Sequence, residues 1–247
     1  MRFVIPTLMI TAIIALGLSA NAAVTSSAVL ARVKAAEAGV KDMKAEMVIT
    51  EANKGNVSGM GKGYGDFLLL EKATVYYKKP DMIRYDGYAK GIKATYIQNG
   101  YKKLVLAAMI RKIDDVKNAP GKRRDTLDMG FLSSRLWTDN TVTVVATESG
   151  VVKLKLVPKR GGDKLRHDFV WIGPSTLKIT KLERYNGRGE LRARSVFTDY
   201  AMLGGKLPIA TETQTYNGDG ALLGSVSYKN VKSNVGLADS LFLLTQR

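Results

Sequence analysis

The stretch ERYNGRGELRARSVF, residues 183–197, is matched 31 positions later by QTYNGDGALLGSVSY, residues 214–228. Both contain Tyr-Asn-Gly-x-Gly-x-Leu, and both reach an aromatic residue at the same offset. Asn and Gly supply the positive φ angles of tight hairpin turns, and a second glycine permits a bulge that raises the twist. Each copy therefore predicts a turn between two neighbouring strands of an antiparallel meander.

The sequence around these turns alternates between polar and apolar residues, as half-buried strands do. In the stretch 152–156, for example, lysines alternate with valine and leucine, so that one face of the strand is cationic and the other apolar. Asn99-Gly100 adds a further hairpin signal. We predict roughly ten antiparallel strands in one sheet with an apolar side that must be covered.

Only two segments favour a helix. Val29 and Val33 belong to an apolar stripe that Thr25 or Ser26 can cap, and residues 126–137 form a dense apolar cluster. The basic stretch 111–124 is interpreted as a loop. The sheet could form a sandwich, a closed barrel or a curved sheet under helices. Because two short helices cannot cover ten strands, we favour the last arrangement and expect a cavity between sheet and helices.

The beginning of the chain has the pattern of a secretory signal peptide. A basic start, an apolar run and an A-x-A site predict cleavage after Ala22, with an uncleaved membrane anchor as the alternative. We expect residues 23–247 to form a single domain that is exported to the periplasm. Without cysteine, that domain is not lipidated and forms no disulfide. The formal net charge of the full chain, +16, favours anionic lipid headgroups or acidic glycans over neutral surfaces.

Residues typical of catalysis do not converge in this sequence. His167 is the single histidine, and Asp168 points to the opposite face of the predicted strand, so they form no dyad. Asp114-Asp115 indicates local charge balance in a basic loop, and no nucleophile or zinc motif is present. We expect a protein that is not an enzyme and that uses no metal and no cofactor. A hydrolase built from carboxylates distant in sequence stays open as an alternative.

Six landmarks occur in the order and spacing of LolA-like periplasmic lipoprotein carriers, so the chain resembles the LolA/LolB superfamily. They are Lys78–Tyr85, Tyr96–Gly100, Thr126–Trp137, Leu156–Lys159, the turn Tyr185–Gly187 with Phe197–Tyr200, and Val235–Phe242. The resemblance implies a mainly β (α+β) fold: a curved antiparallel half-barrel of about ten or eleven strands, covered by a few helices. It also implies a concave face that binds the acyl chains of lipoproteins or other lipids and shuttles them towards the outer membrane.

On this basis we assign site residues to three groups. The acyl cavity wall is expected to comprise Met47, Ile49, Leu69, Ile83, Tyr85, Leu104, Leu106, Phe169, Trp171 and Phe197. The lid is expected to comprise Val29, Val33, Met129, Phe131, Leu132 and Trp137. Lys79 and Arg84 are expected at the rim near headgroups, Lys79 standing where the carriers have an arginine that helps to hold the lid.

The expected partners are lipid or lipoprotein acyl chains, possible inner-membrane donor and outer-membrane acceptor proteins, and transiently a membrane surface, but no nucleic acid. Two other functions stay open. An envelope sensor or interaction module could use the same groove, and a binder of anionic glycan or lipopolysaccharide could use the basic outer face. Salt separates the last from acyl binding, because screening weakens surface electrostatics and not apolar burial.

Overall fold

The computed structural model describes residues 24–59, 68, 70–161 and 165–245. The predicted signal peptide at 1–22 and the predicted wall residue Leu69 lie outside these residues. The described helices are α1 (Ser26–Glu37), α2 (Lys54–Gly59) and α3 (Arg135–Asp139), and 3-10 turns lie at Pro120–Lys122, Thr126–Met129 and Asp239–Phe242. The strands are β1 (Asp42–Ala52), β2 (Lys72–Lys78), β3 (Met82–Ala89), β4 (Ile92–Asn99), β5 (Lys102–Ala107), β6 (Ile110–Asp115), β7 (Asn140–Glu148), β8 (Val151–Pro158), β9 (His167–Ile172), β10 (Ile179–Tyr185), β11 (Leu191–Leu203), β12 (Leu207–Asn217) and β13 (Leu222–Ser233).

All these strands pair antiparallel in one sheet with the order β6-β5-β4-β3-β2-β1-β13-β12-β11-β10-β9-β8-β7. The sheet is a curved half-barrel and is not closed, so β6 and β7 are its edges. The expected fold class is confirmed. The described residues contain thirteen strands rather than about ten or eleven, partly because β6 occupies sequence that we had interpreted as loop. Its polar residues gave no alternation, as is common for an edge strand exposed on both faces.

The two Tyr-Asn-Gly turns join β10 to β11 and β12 to β13, as predicted. The asparagine acts differently from the expectation. Asn217 Oδ1 accepts hydrogen bonds from the backbone N–H groups of Asp219 and Ala221, at 3.0 and 2.8 Å. Only the second glycine has a positive φ, 85° at Gly220. The expected bulge is present, since the β12–β13 register shifts between Thr215 and Tyr216.

The edges β6 and β7 follow each other in sequence although they lie at opposite ends of the sheet. The chain that links them, residues 116–139, must therefore cross the open side of the half-barrel. We call it the crossing segment. It contains short 3-10 turns and α3, rather than the continuous helix predicted at 126–137. Gly130, with φ 75°, ends the turn at Thr126–Met129, and the sequence pattern did not reveal this break.

Helix α1 covers the concave face beside the crossing segment. Thr25 caps it as predicted, with Oγ1 accepting from the N–H of Ala28 at 3.2 Å. Val29 and Val33 are buried in the main core. None of the helices in the described ranges has the length and apolar character needed to span a bilayer.

The convex face has a smaller core of its own beneath the C-terminal segment, residues 234–245. Leu237 and Phe242 pack there against Ile97 and Leu104. The carboxylate of Asp42 anchors this segment by accepting hydrogen bonds from three successive backbone N–H groups, at 2.7–3.1 Å. The sheet is therefore apolar on both sides in this region, which affects how its strands can be interpreted from sequence.

Candidate functional site

The concave wall of the half-barrel carries half of the residues assigned to it from the sequence. Met47, Ile83, Tyr85 and Phe197 are buried in the main core, and Ile49 packs against it half-buried. They face inwards because paired residues on neighbouring antiparallel strands share a face, as Met47 does with Tyr228 across β1 and β13. These placements agree with the prediction.

Five predicted site residues lie on the convex face instead. The parity predicted for β5 was wrong: Leu104 pairs with Ile97 and belongs to the smaller convex core, against which Leu106 also packs. The parity predicted for β9 was also wrong, because Val170 and Ile172 are the buried residues of that strand while Phe169 and Trp171 point outwards. Arg84 is likewise not at the rim. It donates to Asp86 at 2.7 Å and to the carbonyl of Leu241 at 2.7 Å.

The crossing segment fills the concave side with its own apolar side chains. Leu127, Met129, Phe131 and Leu132 are at most 1% exposed. The ring of Phe131 meets that of Tyr77 edge to face, with 5.3 Å between the ring centres. The predicted lid residues thus cover the wall, and half-buried Trp137 joins this cover to α1 through a 2.9 Å hydrogen bond from its Nε1 to Ser26 Oγ.

The space left between cover and wall is small. A cleft of about 30 Å³ lies beneath Leu127 and is bordered by Phe197, Val226 and Tyr228. That volume holds about one or two water molecules and not an acyl chain. Within the described residues, the cleft beneath the crossing segment is thus much smaller than the cavity we expected, because side chains of that segment occupy its place.

One polar contact fixes the crossing segment to helix α1. The carboxylate of Glu37, at the end of α1, accepts hydrogen bonds from the backbone N–H of Ser134, at 2.9 Å, and from its hydroxyl. Lys79 supports the same point by donating to the backbone carbonyl of Glu37 at 2.9 Å. Lys79 thus helps to hold the lid indirectly, through α1, and its ammonium is engaged there.

A buried ionic cluster fixes the crossing segment to the β2–β3 turn. Arg123 donates to Asp81 and to Asp139, and Arg135 donates to Asp139 at 2.9 Å. Burial raises the pKa of Asp81 to about 6, although Arg123 and Arg135 oppose the shift. Burial acts on Asp139 in the same direction, but hydrogen bonds from Tyr101 and Arg123, together with the charges of Arg123 and Arg135, outweigh it and lower the pKa of Asp139.

A second ionic cluster ties the crossing segment to β10. Arg184 contacts Asp125 at 3.3 Å and Asp128 at 3.1 Å, and Arg124 contacts Asp128 at 3.6 Å. Asp168 faces the same interior, opposite Arg184 in the β9–β10 pairing. Burial raises its pKa to about 6 despite the nearby charge of Arg184.

Sequence reasoning missed both ionic clusters. Asp81 and Arg123 are 42 residues apart and meet only because the crossing segment passes the β2–β3 turn. The one available signal was the density of arginine and aspartate at 123–128, directly before the apolar stretch. Here the charged residues beside the apolar stretch form ion pairs that hold the crossing segment against the sheet, since the segment contains no long helix.

No protein-family model matches the sequence, and no curated protein matches it significantly. Among solved structures, the fold is similar to that of a LolA superfamily protein from Nitrosomonas europaea, with a TM-score of 0.62 and 14% identity over 90% of this chain and 98% of that one. A DUF1329 family protein from Desulfovibrio piger is similar with a TM-score of 0.54 and 14% identity over 88% and 96% of the two chains. A putative outer membrane lipoprotein-sorting protein domain from Vibrio parahaemolyticus is similar with a TM-score of 0.50 and 15% identity over 86% and 95%. Thirteen antiparallel strands, a covered concave face and these likenesses along nearly the whole chain show that the protein has the LolA-like fold.

Proposed function

We propose that the protein is a periplasmic carrier that binds acyl chains of lipoproteins, or of other lipids, on the concave face of the half-barrel. The carrier is exported with the help of its N-terminal segment and shuttles its cargo towards the outer membrane without catalysing a reaction. It receives cargo from an inner-membrane donor and delivers it to an outer-membrane acceptor. The solved structures with this fold support the proposal through the lipoprotein sorting named for one of them.

The observation that carries the proposal is the apolar plug supplied by the crossing segment. Leu127, Met129, Phe131 and Leu132 are fully buried, yet the only regular structure among them is the short 3-10 turn Thr126–Met129. Moving such a stretch breaks few backbone hydrogen bonds, so its main cost is the lost burial of the four side chains, which an incoming acyl chain can replace. Outward movement of this stretch exposes the wall formed by Met47, Phe197 and their neighbours, so that acyl chains replace the plug.

The polar contacts at its two ends allow the plug to move without detaching. The ionic clusters at 123–128 and 135–139 hold the segment on either side of residues 129–132, and Leu127 lies beside the first of these fixed points. Between them, the backbone of Gly130 makes one hydrogen bond to the sheet, from the N–H of Ala210 at 3.0 Å. The apolar stretch therefore opens as a loop between two fixed ends.

Native mass spectrometry of the full chain, purified from the periplasm of a Gram-negative host, tests the proposal. We expect a population that carries one acylated molecule, and uptake of a synthetic diacyl lipopeptide by the apoprotein. Val226→Phe narrows the wall where the cleft lies, so this variant should lose most of the uptake. Val145→Phe places the same substitution at a residue that is 47% exposed and serves as the control.

Protein that is free of lipid after purification and that takes up no diacyl lipopeptide would refute the carrier function. Equal loss of uptake in Val226→Phe and Val145→Phe would place the binding elsewhere. Circular dichroism and urea unfolding of both variants separate a loss of binding from a loss of folding.

A second candidate function is favoured by the convex face of β8–β10. There the ammonium of Lys181 lies 3.6 Å from the ring centre of Trp171, and that of Lys153 lies 4.0 Å from the ring centre of Phe169. Aromatic faces interleaved with lysines suit an anionic glycan, which stacks sugar rings and pairs acidic groups. We expect glycan binding to weaken steeply when salt is raised from about 50 to about 500 mM, because the shorter Debye length screens the exposed charges. Acyl uptake should persist over the same range.

A further inference from the structure

A polar cavity lies at one end of the half-barrel, apart from the apolar plug. Its volume is about 230 Å³, and the ends of β8, β9 and β10 form one wall while both ends of the crossing segment, residues 116–125 and 138–139, contribute to the other. Six cationic and three acidic side chains line it: Lys117, Arg123, Lys159, Arg160, Arg166 and Arg184, with Asp125, Asp139 and Asp168. Pockets for drug-sized ligands span about 300–1,000 Å³, so this one suits a smaller, charged group.

Two of the six cations are already neutralised. Arg123 bridges two aspartates, and Arg184 contacts Asp125 and Asp128. Lys117, Arg160 and Arg166 form no ion pair within 4.0 Å among the residues that the structure describes, although the charge of Arg166 acts on Asp168. Like charges gathered around one cavity repel each other, and an anion in the cavity relieves that repulsion.

The unneutralised cations are held in place by their surroundings. The Arg160 guanidinium lies over the ring of Tyr101, 5.0 Å from its centre. The Arg166 guanidinium packs so closely on Gly121 that a Cβ there would lie 2.3 Å from its Nη1. Planar guanidinium groups held in fixed orientations bind phosphate oxygens in pairs, whereas mobile surface lysines do not.

Asp168 supplies an acceptor inside this cationic cavity. Its Oδ1 is inaccessible to solvent and has no hydrogen-bond partner among the described residues. A buried carboxylate oxygen without a partner is rare in a folded protein. The phosphate group of an ester dianion cannot satisfy it, because its oxygens only accept hydrogen bonds, and inorganic phosphate carries its hydroxyl on the same phosphorus that the arginines would hold. A ligand that carries an ammonium or hydroxyl beside its phosphate satisfies both the arginines and the aspartate after a small rearrangement.

We propose that this cavity binds a small phosphate ester whose ammonium or hydroxyl group donates to Asp168, such as phosphoethanolamine or glycerol phosphate. The cavity shares Arg184 with the cleft beneath the apolar plug. A lipid headgroup can therefore occupy it while the acyl chains lie on the concave wall. That lipid source rests on the proposed carrier function, and binding of the soluble headgroup does not.

Isothermal titration calorimetry of the full chain tests the inference with phosphoethanolamine, glycerol 3-phosphate and inorganic phosphate at 50 mM salt. We expect one site per chain and at least fivefold tighter binding of the two esters than of inorganic phosphate. Arg166→Gln should weaken the binding of both esters about tenfold, the size expected for one charge-assisted pair. Asp168→Asn should remove the preference for phosphoethanolamine over inorganic phosphate.

Lys206→Gln provides the matched control, because it removes one positive charge from an exposed turn outside the cavity. It should change affinity less than twofold. Equal weakening by Lys206→Gln and Arg166→Gln would overturn the inference in favour of non-specific charge attraction. Equal affinity for all three probes would overturn it as well, since the cavity then holds an adventitious ion only.

Short-chain phosphatidylethanolamine distinguishes the two sources of the phosphate. Affinity at least tenfold above that of phosphoethanolamine identifies a lipid headgroup, and equal affinity identifies a free phosphate ester. Headgroup binding without uptake of diacyl lipopeptide would refute the carrier function and leave this inference standing. Uptake of lipopeptide without any headgroup binding would do the reverse.

Discussion

Gly130→Ala is the substitution that most directly tests how the crossing segment is seated. Gly130 has φ 75°, a region that a residue with a Cβ enters only with strain. A Cβ built there lies 2.7 Å from the Cβ of Ala210 and 3.3 Å from Phe197 Cδ1. The carbonyl of Gly130 also accepts the hydrogen bond from Ala210 at 3.0 Å, so the segment cannot shift freely to relieve the contact.

The expected loss of stability has two parts. Placing alanine at this φ costs about 1 kcal/mol. Overpacking against Ala210 costs a further 1–3 kcal/mol or so, the usual range for an added methyl group in a well-packed core. We therefore expect Gly130→Ala to lower the free energy of unfolding by about 2–4 kcal/mol.

A double-mutant cycle with Ala210→Gly separates the two parts. Ala210→Gly alone should cost about 2 kcal/mol, from strand flexibility and a lost buried methyl group. In the double variant the two methyl groups no longer collide, so it should be at least about 1 kcal/mol more stable than the sum of the single losses predicts. Urea unfolding of the four proteins at 25 °C, followed by tryptophan fluorescence and far-ultraviolet circular dichroism, measures the coupling.

Additive losses, within about 0.5 kcal/mol, would show that the side chains at 130 and 210 do not touch and that the position described for the segment is wrong.

Gly130→Ala also has an expected effect on ligand binding. Weakening the closed state favours the open one, so Gly130→Ala should bind diacyl lipopeptide more tightly than the unsubstituted chain.

Three other outcomes follow from the polar contacts. The raised pKa of Asp168, about 6 against an ordinary value of 3.8, favours the protonated folded state, so stability should rise as pH falls from 7 to 5. At pH 7, Asp168→Asn should unfold with a free energy about 1 kcal/mol higher than that of the unsubstituted chain, after allowance for residual solvation. At pH 5 the difference in free energy should be smaller. Urea titrations at both pH values measure it. Glu37→Ala leaves the N–H of Ser134 without its acceptor and should cost about 1–3 kcal/mol by urea unfolding, whereas Glu148→Ala at an exposed strand end should cost almost nothing. Arg123→Leu removes the closest cation from buried Asp81, leaving it only Arg135 at 3.7 Å, and should cost about 3 kcal/mol by the same measurement; little loss would mean that solvent reaches the cluster.

The meander could be predicted from the sequence because its turns carry local signals. Residues 186–189 and 217–220 form turns through side-chain and glycine chemistry that a short window contains. The residues of a strand that face the core could be predicted where the opposite face is polar, as in β8, whose lysines all point outwards. It was not predictable in β5 and β9. Leu104 lies on the convex face where the C-terminal segment covers it, and Phe169 lies on the convex face within a group of aromatic rings. Apolar residues therefore occur on both faces of these strands, and the alternation of polar and apolar residues does not show which face meets the core.

The candidate site was predictable only in its apolar part. Phe131 and Leu132 stand out as a hydrophobic cluster in a basic region, and the structure buries them. The polar cavity brings together Lys117, Arg166 and Asp168 from separate parts of the chain, and no local pattern links them. Their proximity is a consequence of the crossing segment, whose path depends on which two strands become the sheet edges.

The sealed interior is compatible with a carrier because plug and cargo are of similar energetic value. Four fully buried apolar side chains contribute about 1.5–3 kcal/mol each, or roughly 6–12 kcal/mol in all. An acyl chain of about 15 methylene groups contributes some 12 kcal/mol when buried, at about 0.8 kcal/mol per group. One such chain therefore roughly balances the plug that it displaces, and a second chain supplies the surplus that holds a diacyl ligand. An interior left open would expose the wall to water between deliveries. A movable plug whose burial is worth about as much free energy as one acyl chain covers the wall in the apoprotein, and it favours cargo with more than one chain.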